Sequence, residues 1–156
     1  LEPKKGLYNE YILLLDFNSL YPSIIQEYNL CFTTVDWTKH AEKIKNINDE
    51  DKLLEDCEEK LLPPVPNDES KAGILPRVIK RLVERRAIVK KMLKSEKNSE
   101  KMQELDIRQK ALKLIANSMY GCLGFVHGRF CAQPIAALIT LKGREALQKT
   151  VEVAQD

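Results

Sequence analysis

Asp16 is the first residue in the chain whose type and setting could do chemistry. It follows the apolar run Tyr11-Ile12-Leu13-Leu14-Leu15 and opens the stretch Asp16-Phe17-Asn18-Ser19-Leu20-Tyr21-Pro22-Ser23. The run is short, uncharged and bounded by turn residues, as a strand covered on both faces would be, although periodicity does not separate it from a buried helix. Pro22 suits the first position of a helix, where its missing N–H costs nothing. A carboxylate at a strand end beside a helix N-terminus points to metal and phosphate chemistry, since the carboxylate attracts hard cations and the helix N–H groups attract anions. Alone, such an Asp is ordinarily a turn or cap residue. Its meaning depends on what faces it.

The other chemistry-bearing side chains lie about a hundred residues later. At roughly 100° per residue, Lys113, Asn117 and Tyr120 occupy an arc of roughly 60°, offering an ammonium, an amide and a phenol on one helix face. Upstream, Arg86 falls only about 40° from the line through Leu82 and Val89, with Lys90 one turn further on. Either cation alone reads as a snorkelling or solubilising charge. Arg86, Lys90 and Lys113 turned together toward Asp16 would surround a triphosphate, which suits phosphoryl transfer.

Two helices must position these groups. From Gly73 the pattern takes a helical period, with Leu75, Val78, Leu82, Val89 and Leu93 as an apolar stripe and Pro76 near the start. Residues 95–99 form the expected reversal, and a second helix is expected over residues 101–120 with Leu105, Leu112, Ile115 and Met119 on its apolar side. Together they make an antiparallel hairpin. Before it, residues 6–35 read as strand, turn, helix and a β-prone stretch, Cys31-Phe32-Thr33-Thr34-Val35, with Asn29 as helix stop. Residues 36–72 read as a polar surface insertion with a possible short helix over 51–62. After the hairpin, Gly121, Gly124 and Gly128 mark turns ahead of a helix from Gln133 to about Ala154. The fold class is α+β, mostly helical.

Charge is segregated along the 156 residues. Residues 36–72 hold six Lys against eleven acids, a balance of −5, whereas residues 73–149 hold seventeen Lys or Arg against six acids, a balance of +11. The second excess is the footprint of a polyanion-binding element. With 44% hydrophobic residues the chain can build a core, and no apolar run reaches the roughly 18 to 20 residues a membrane span needs. Cys31, Cys57, Cys122 and Cys131 are not paired in C-x-x-C fashion, and His40 and His127 are not placed to complete a zinc site, so reduced, packed thiols in an intracellular setting are expected. The N-terminal Leu1-Glu2-Pro3 gives the chain the look of a piece of something longer.

Two stretches carry a family resemblance. Residues 16–25, DFNSLYPSII, resemble motif A of the family B DNA polymerases, and residues 113–121, KLIANSMYG, resemble their motif B. Gln26-Glu27 with Asn29, CFTTV at 31–35, GILPRVIKRLVERR at 73–86, DIRQKALK at 106–113 and LKGREAL at 141–147 resemble the primase-associated replicative branch, and the delta and zeta branches fit less well. Residues 36–72 and 94–103 contribute little.

The resemblance implies a polymerase palm part over residues 1–72 with the polar insertion, a fingers hairpin over 73–121, and a return to the palm over 122–156. It implies Asp16 and the Phe17 carbonyl as ligands of two catalytic Mg²⁺ ions, and backbone amides of Ser19, Leu20 and Tyr21 on the incoming triphosphate. Tyr21 would lie under the sugar, colliding with a 2′-hydroxyl. Arg86, Lys90, Lys113 and Asn117 would bind the triphosphate, Arg86 being preferred to Arg85 on helical geometry, and Lys113 would serve as proton donor to pyrophosphate. Tyr120 and Gly121 would flank the nascent base pair. The implied partners are dNTPs, primer-template or RNA-primed DNA, primase and accessory subunits, in the nucleus and with no membrane. The second carboxylate of a two-metal site is not found in the sequence, so the piece alone is expected to be inactive. Without DNA the hairpin is expected to stand mobile relative to the Asp16 turn. A different reading is a nonenzymatic basic hairpin that binds nucleic acid or a protein partner.

Overall fold

The computed structural model describes residues 5–9, 11–40, 62–66 and 71–155. Four helices organise them: α1 (Leu20–Glu27), α2 (Ile74–Ser95), α3 (Ser99–Gly124) and α4 (Gln133–Gln155). Both α2 and α3 pack on α1, α2 and α3 form the most extensive helix pair, and α4 packs on α1 and α3. The mostly helical character expected from the sequence is present. The possible helix over 51–62 and Cys57 lie essentially outside the described residues.

The expected strand is not formed. Residues 11–17 have no regular secondary structure, and the apolar run is exposed, with Leu14 87% accessible. A strand needs a neighbour for its N–H and C=O groups and a layer over its face. No strand among the described residues offers either.

Helix α1 begins at Leu20, two residues before the expected start, and Pro22 is accommodated because the N–H it lacks belongs to the first turn. Its end is a Schellman arrangement. Asn29 takes φ 50°, Leu30 N–H donates to the Ile25 carbonyl at 3.0 Å, and Asn29 N–H donates to Gln26 at 3.4 Å. The Asn29 side chain then reaches across the chain, accepting from Gly73 N–H at 2.8 Å and donating to the Lys71 carbonyl at 3.3 Å. One residue thus ends α1 and locates the start of α2.

The β-prone stretch 31–35 is a turn, correcting the expectation. Thr34 and Val35 N–H groups both donate to the Cys31 carbonyl, and the Thr34 hydroxyl donates to Asn29. These local bonds outweigh the intrinsic preference of Thr and Val for strands. The buried Cys31 sulfur accepts from Leu75 N–H at 3.3 Å, capping the start of α2. Burial pushes the thiol pKa up, but hydrogen bonds from Thr33, Leu75 and Ile74 outweigh it and leave the thiol below its usual value. Gly73 is required here, since a Cβ would lie 2.6 Å from the Cys31 Cβ. Cys31, Cys122 and Cys131 are all free thiols, but only Cys31 is buried; Cys122 is exposed.

The hairpin reversal matches expectation. Asn98 accepts from Glu100 and Lys101 N–H, and Glu96 accepts from Lys97 and Asn98 N–H, which holds its carboxyl below the usual range. Of the expected stripes, Val89 is buried and Leu75, Leu82, Leu93, Leu105, Leu112 and Met119 are half-buried, but Val78 and Ile115 are exposed. Ile79 rather than exposed Val78 is the fully buried residue of α2, and Ala116 rather than exposed Ile115 is buried in α3. Burial follows the third layer, where α1 and α4 supply Ile24, Ile25, Ile135 and Ile139 to the core. Gly121 and Gly124 are helical, so α3 runs past the expected end at residue 120; Gly128 does lie in a turn, donating to Phe125.

Candidate nucleotide-binding cleft

Ser19, the residue preceding α1, sits at φ 67° and ψ 61°, a left-handed conformation for a residue with a side chain. No side chain caps α1. The amides at the start of the helix have no intrahelical acceptor, so this end is suited to an anion. Ser23 holds the turn through its N–H on the Ser19 carbonyl at 3.0 Å and its hydroxyl on the Asn18 carbonyl at 3.3 Å. Backbone strain of this kind gathers where a surrounding scaffold fixes it and a ligand uses it.

Facing the turn is a cleft of about 530 Å³. Asp16, Phe17, Asn18, Ser19, Leu20 and Tyr21 line one side of it, and Arg86, Lys113 and Asn117 line the other. The hairpin therefore stands over the turn. One carboxylate shares the lining with an arginine, a lysine and an amide, around a volume that a small polyanion fills. Among the described residues no group of three His, Cys, Asp or Glu could hold a metal. Asp16 and the Phe17 carbonyl are oxygen donors of the kind Mg²⁺ prefers, but they provide only part of a coordination sphere.

Arg86 is the arginine directed at the cleft. Its Nε donates to Gln109 Oε1 at 3.4 Å, the Gln109 amide donates to Asp106 at 2.9 Å, and Lys110 pairs with the other Asp106 oxygen at 2.6 Å. The Lys110 ammonium and the Gln109 amide hold the Asp106 carboxyl below the usual range. Arg85 lies in a different groove with Ile88, Val89, Met92, Arg108 and Leu112. Lys90 is exposed and does not line the cleft. It stands about 6 Å further along α2, toward the hairpin's far end.

Tyr120 and Tyr21 meet at the cleft edge. Their rings stack with centroids 3.9 Å apart and planes 9° from parallel, and the Tyr120 hydroxyl lies 3.1 Å from Thr140 Oγ1 on α4. Neither Gln109 nor Thr140 is a residue that sequence reasoning selected. Gln109 had a signal, lying one turn before Lys113 on α3. Thr140 had none, because only the packing of α4 brings it to Tyr120.

A profile of DNA polymerase family B matches residues 1–156, the whole chain. The chain belongs to DNA polymerase family B. Within this family, it is 53% identical to the DNA polymerase alpha catalytic subunit of Mus musculus over 99% of its own length and 10% of that protein's. It is 53% identical to the DNA polymerase alpha catalytic subunit of Oryza sativa over 100% of its length and 9% of that protein's. The chain thus spans about a tenth of the length of the curated relatives it matches. A solved family B DNA polymerase from the hyperthermophilic archaeon Pyrobaculum calidifontis superposes with a TM-score of 0.65 and 32% identity, covering 90% of this chain and 17% of the other. Among family B chains, it is most like the alpha catalytic subunits.

Gly121 of this family B chain has open space around it: a Cβ there would meet nothing within 4 Å. Gly121→Ala is therefore expected to leave folding intact or to stabilise α3 by about 0.5 to 1 kcal/mol. If the glycine leaves room for a bound partner, affinity for that partner should fall while thermal stability does not. Unchanged affinity would remove Gly121 from the cleft's surroundings.

Proposed function

We propose that the chain is the nucleotide-holding part of a replicative DNA-directed DNA polymerase, which extends a primer by attack of its 3′-hydroxyl on the α-phosphate of a dNTP. The observation that carries the reading is the shared cleft, in which the Asp16 turn opposes Arg86, Lys113 and Asn117. Residues 1–72 would be palm, 73–121 fingers and 122–156 the return to the palm.

In this reading the triphosphate lies between the two sides. The amides of Ser19, Leu20 and Tyr21 receive its oxygens at the start of α1. Arg86 and Asn117 fix its orientation, and Lys113 neutralises the leaving pyrophosphate and donates a proton to it. Lys90 joins them only by extending its side chain back along α2. The Tyr21 ring supports the sugar and excludes a 2′-hydroxyl, while Tyr120 and Gly121 border the nascent base pair. Asp16 and the Phe17 carbonyl would hold Mg²⁺, which supplies charge neutralisation at the reacting phosphate. With Asp16 the one carboxylate among the described residues that line the cleft, the chain alone is proposed to be inactive. The proposed partners are primed DNA, including RNA-primed DNA, with primase and accessory subunits, in the nucleus.

Substitution of Lys113 by Met tests the reading in the full polymerase. The KM for dNTP should rise and kcat should fall, with primer-template affinity changed less than about twofold, since one phosphate contact among many contributes little to a DNA affinity. A uniform loss of affinity for any nucleic acid, with no selective loss in dNTP use, would instead favour a basic binding hairpin.

A further inference from the structure

The stacked pair at the cleft edge has a third member. Tyr21 comes from α1 and Tyr120 from α3, and their rings lie face to face at 3.9 Å. Both rings are half-buried and pack against the core cluster. What restrains the far end of Tyr120 is Thr140, 3.1 Å from its hydroxyl. The Thr140 proton is already committed, because Oγ1 donates to the Ala136 carbonyl within α4 at 2.9 Å. Tyr120 is therefore the donor and Thr140 the acceptor, and the bond has one direction. A phenol pivots about two side-chain torsions; tethering its tip removes most of that freedom. A ring lying 9° from parallel transmits the tether to its neighbour by contact.

We propose that Thr140 is a positioning residue for sugar selection, holding Tyr120 so that Tyr120 holds Tyr21 at the height where a 2′-hydroxyl collides. This rests on the reading of Tyr21 as the floor beneath the sugar. Thr140 touches no nucleotide and acts through the stack. It lies on α4, outside both sequence motifs, and the device joins three helices at one point.

The test is made in the full polymerase and reads the ratio of kcat/KM for dNTP over rNTP. Thr140→Val keeps the shape and removes the acceptor. It is expected to lower the ratio about threefold to tenfold, as loss of one tethering hydrogen bond would. Thr140→Ser, which keeps the hydroxyl, should restore it. Tyr120→Phe keeps the stack and removes the same bond from the other side, so it should match Thr140→Val, and the double variant should add nothing. If Thr140→Val does not fold, Tyr120→Phe decides. Tyr21→Ala separates the two layers of the argument. If it collapses the ratio while T140V or Y120F leaves the ratio unchanged, the tether is overturned and the sugar floor stands. If Tyr21→Ala itself leaves the ratio unchanged, the sugar-floor reading fails and the inference with it. A loss of rate equal for dNTP and rNTP, or no rescue by Ser, also overturns the tether.

Discussion

Replacing Asp16 by Asn in the full polymerase is expected to reduce nucleotide incorporation about a thousandfold or more while leaving primer-template binding within about twofold. The substitution changes one oxygen to an amide nitrogen and keeps the shape of the turn. Among the described residues that line the cleft, Asp16 is the only carboxylate, and Arg86 and Lys113 face it. Loss of its charge leaves those cations without a counterweight and withdraws an anionic ligand from any Mg²⁺ held there. Several kcal/mol of transition-state stabilisation go with it, at about 1.36 kcal/mol for each tenfold in rate. Binding of duplex is spread over many phosphates and does not depend on this turn. Single-turnover incorporation with a parallel DNA-binding titration checks both halves. Retention of more than about a tenth of the wild-type rate would remove Asp16 from the chemistry.

The second large effect should distinguish two adjacent arginines. Arg86→Ala is expected to raise the KM for dNTP about tenfold to a hundredfold, the worth of one charge-assisted contact. Arg85→Ala should change it less than about threefold. The contrast follows from placement. Arg86 lines the cleft and is held by Gln109, whereas Arg85 lies in the groove with Ile88 and Met92. Steady-state kinetics on the two variants, with one dNTP varied, is sufficient. Equal losses would mean that electrostatic attraction along α2, not a contact, supplies the effect.

What was legible in the sequence was what local periodicity governs. The hairpin, its reversal at 95–99, the α4 helix and the common face of Lys113 and Asn117 follow from a period of 3.6 and from cap residues such as Asn98. The preference for Arg86 over Arg85 came from the same geometry. What was not legible depends on partners distant along the chain. The run Tyr11 to Leu15 has strand composition, but pairing needs another strand. Val78 and Ile79 are adjacent and equally apolar; α1 and α4, not α2, decide which is buried. CFTTV has β-prone residues, yet the Schellman end of α1 and the Thr34 hydroxyl turn it back. Thr140 is one of several threonines until α4 brings it to Tyr120.

Asp16 stands between two stretches of unequal security. On one side, α1 is fastened by Ile24 and Ile25 in the core and by the Asn29 bonds to Lys71 and Gly73. On the other, the ribbon from Tyr11 to Leu15 is exposed and unladdered. The carboxylate is thus clamped from its C-terminal side alone, and the rest of its positional freedom is removed only when something pairs with the ribbon. If Asp16 holds a cation as proposed, thermodynamic linkage makes the two events reciprocal: whatever factor ribbon docking adds to that affinity, the cation adds to ribbon docking.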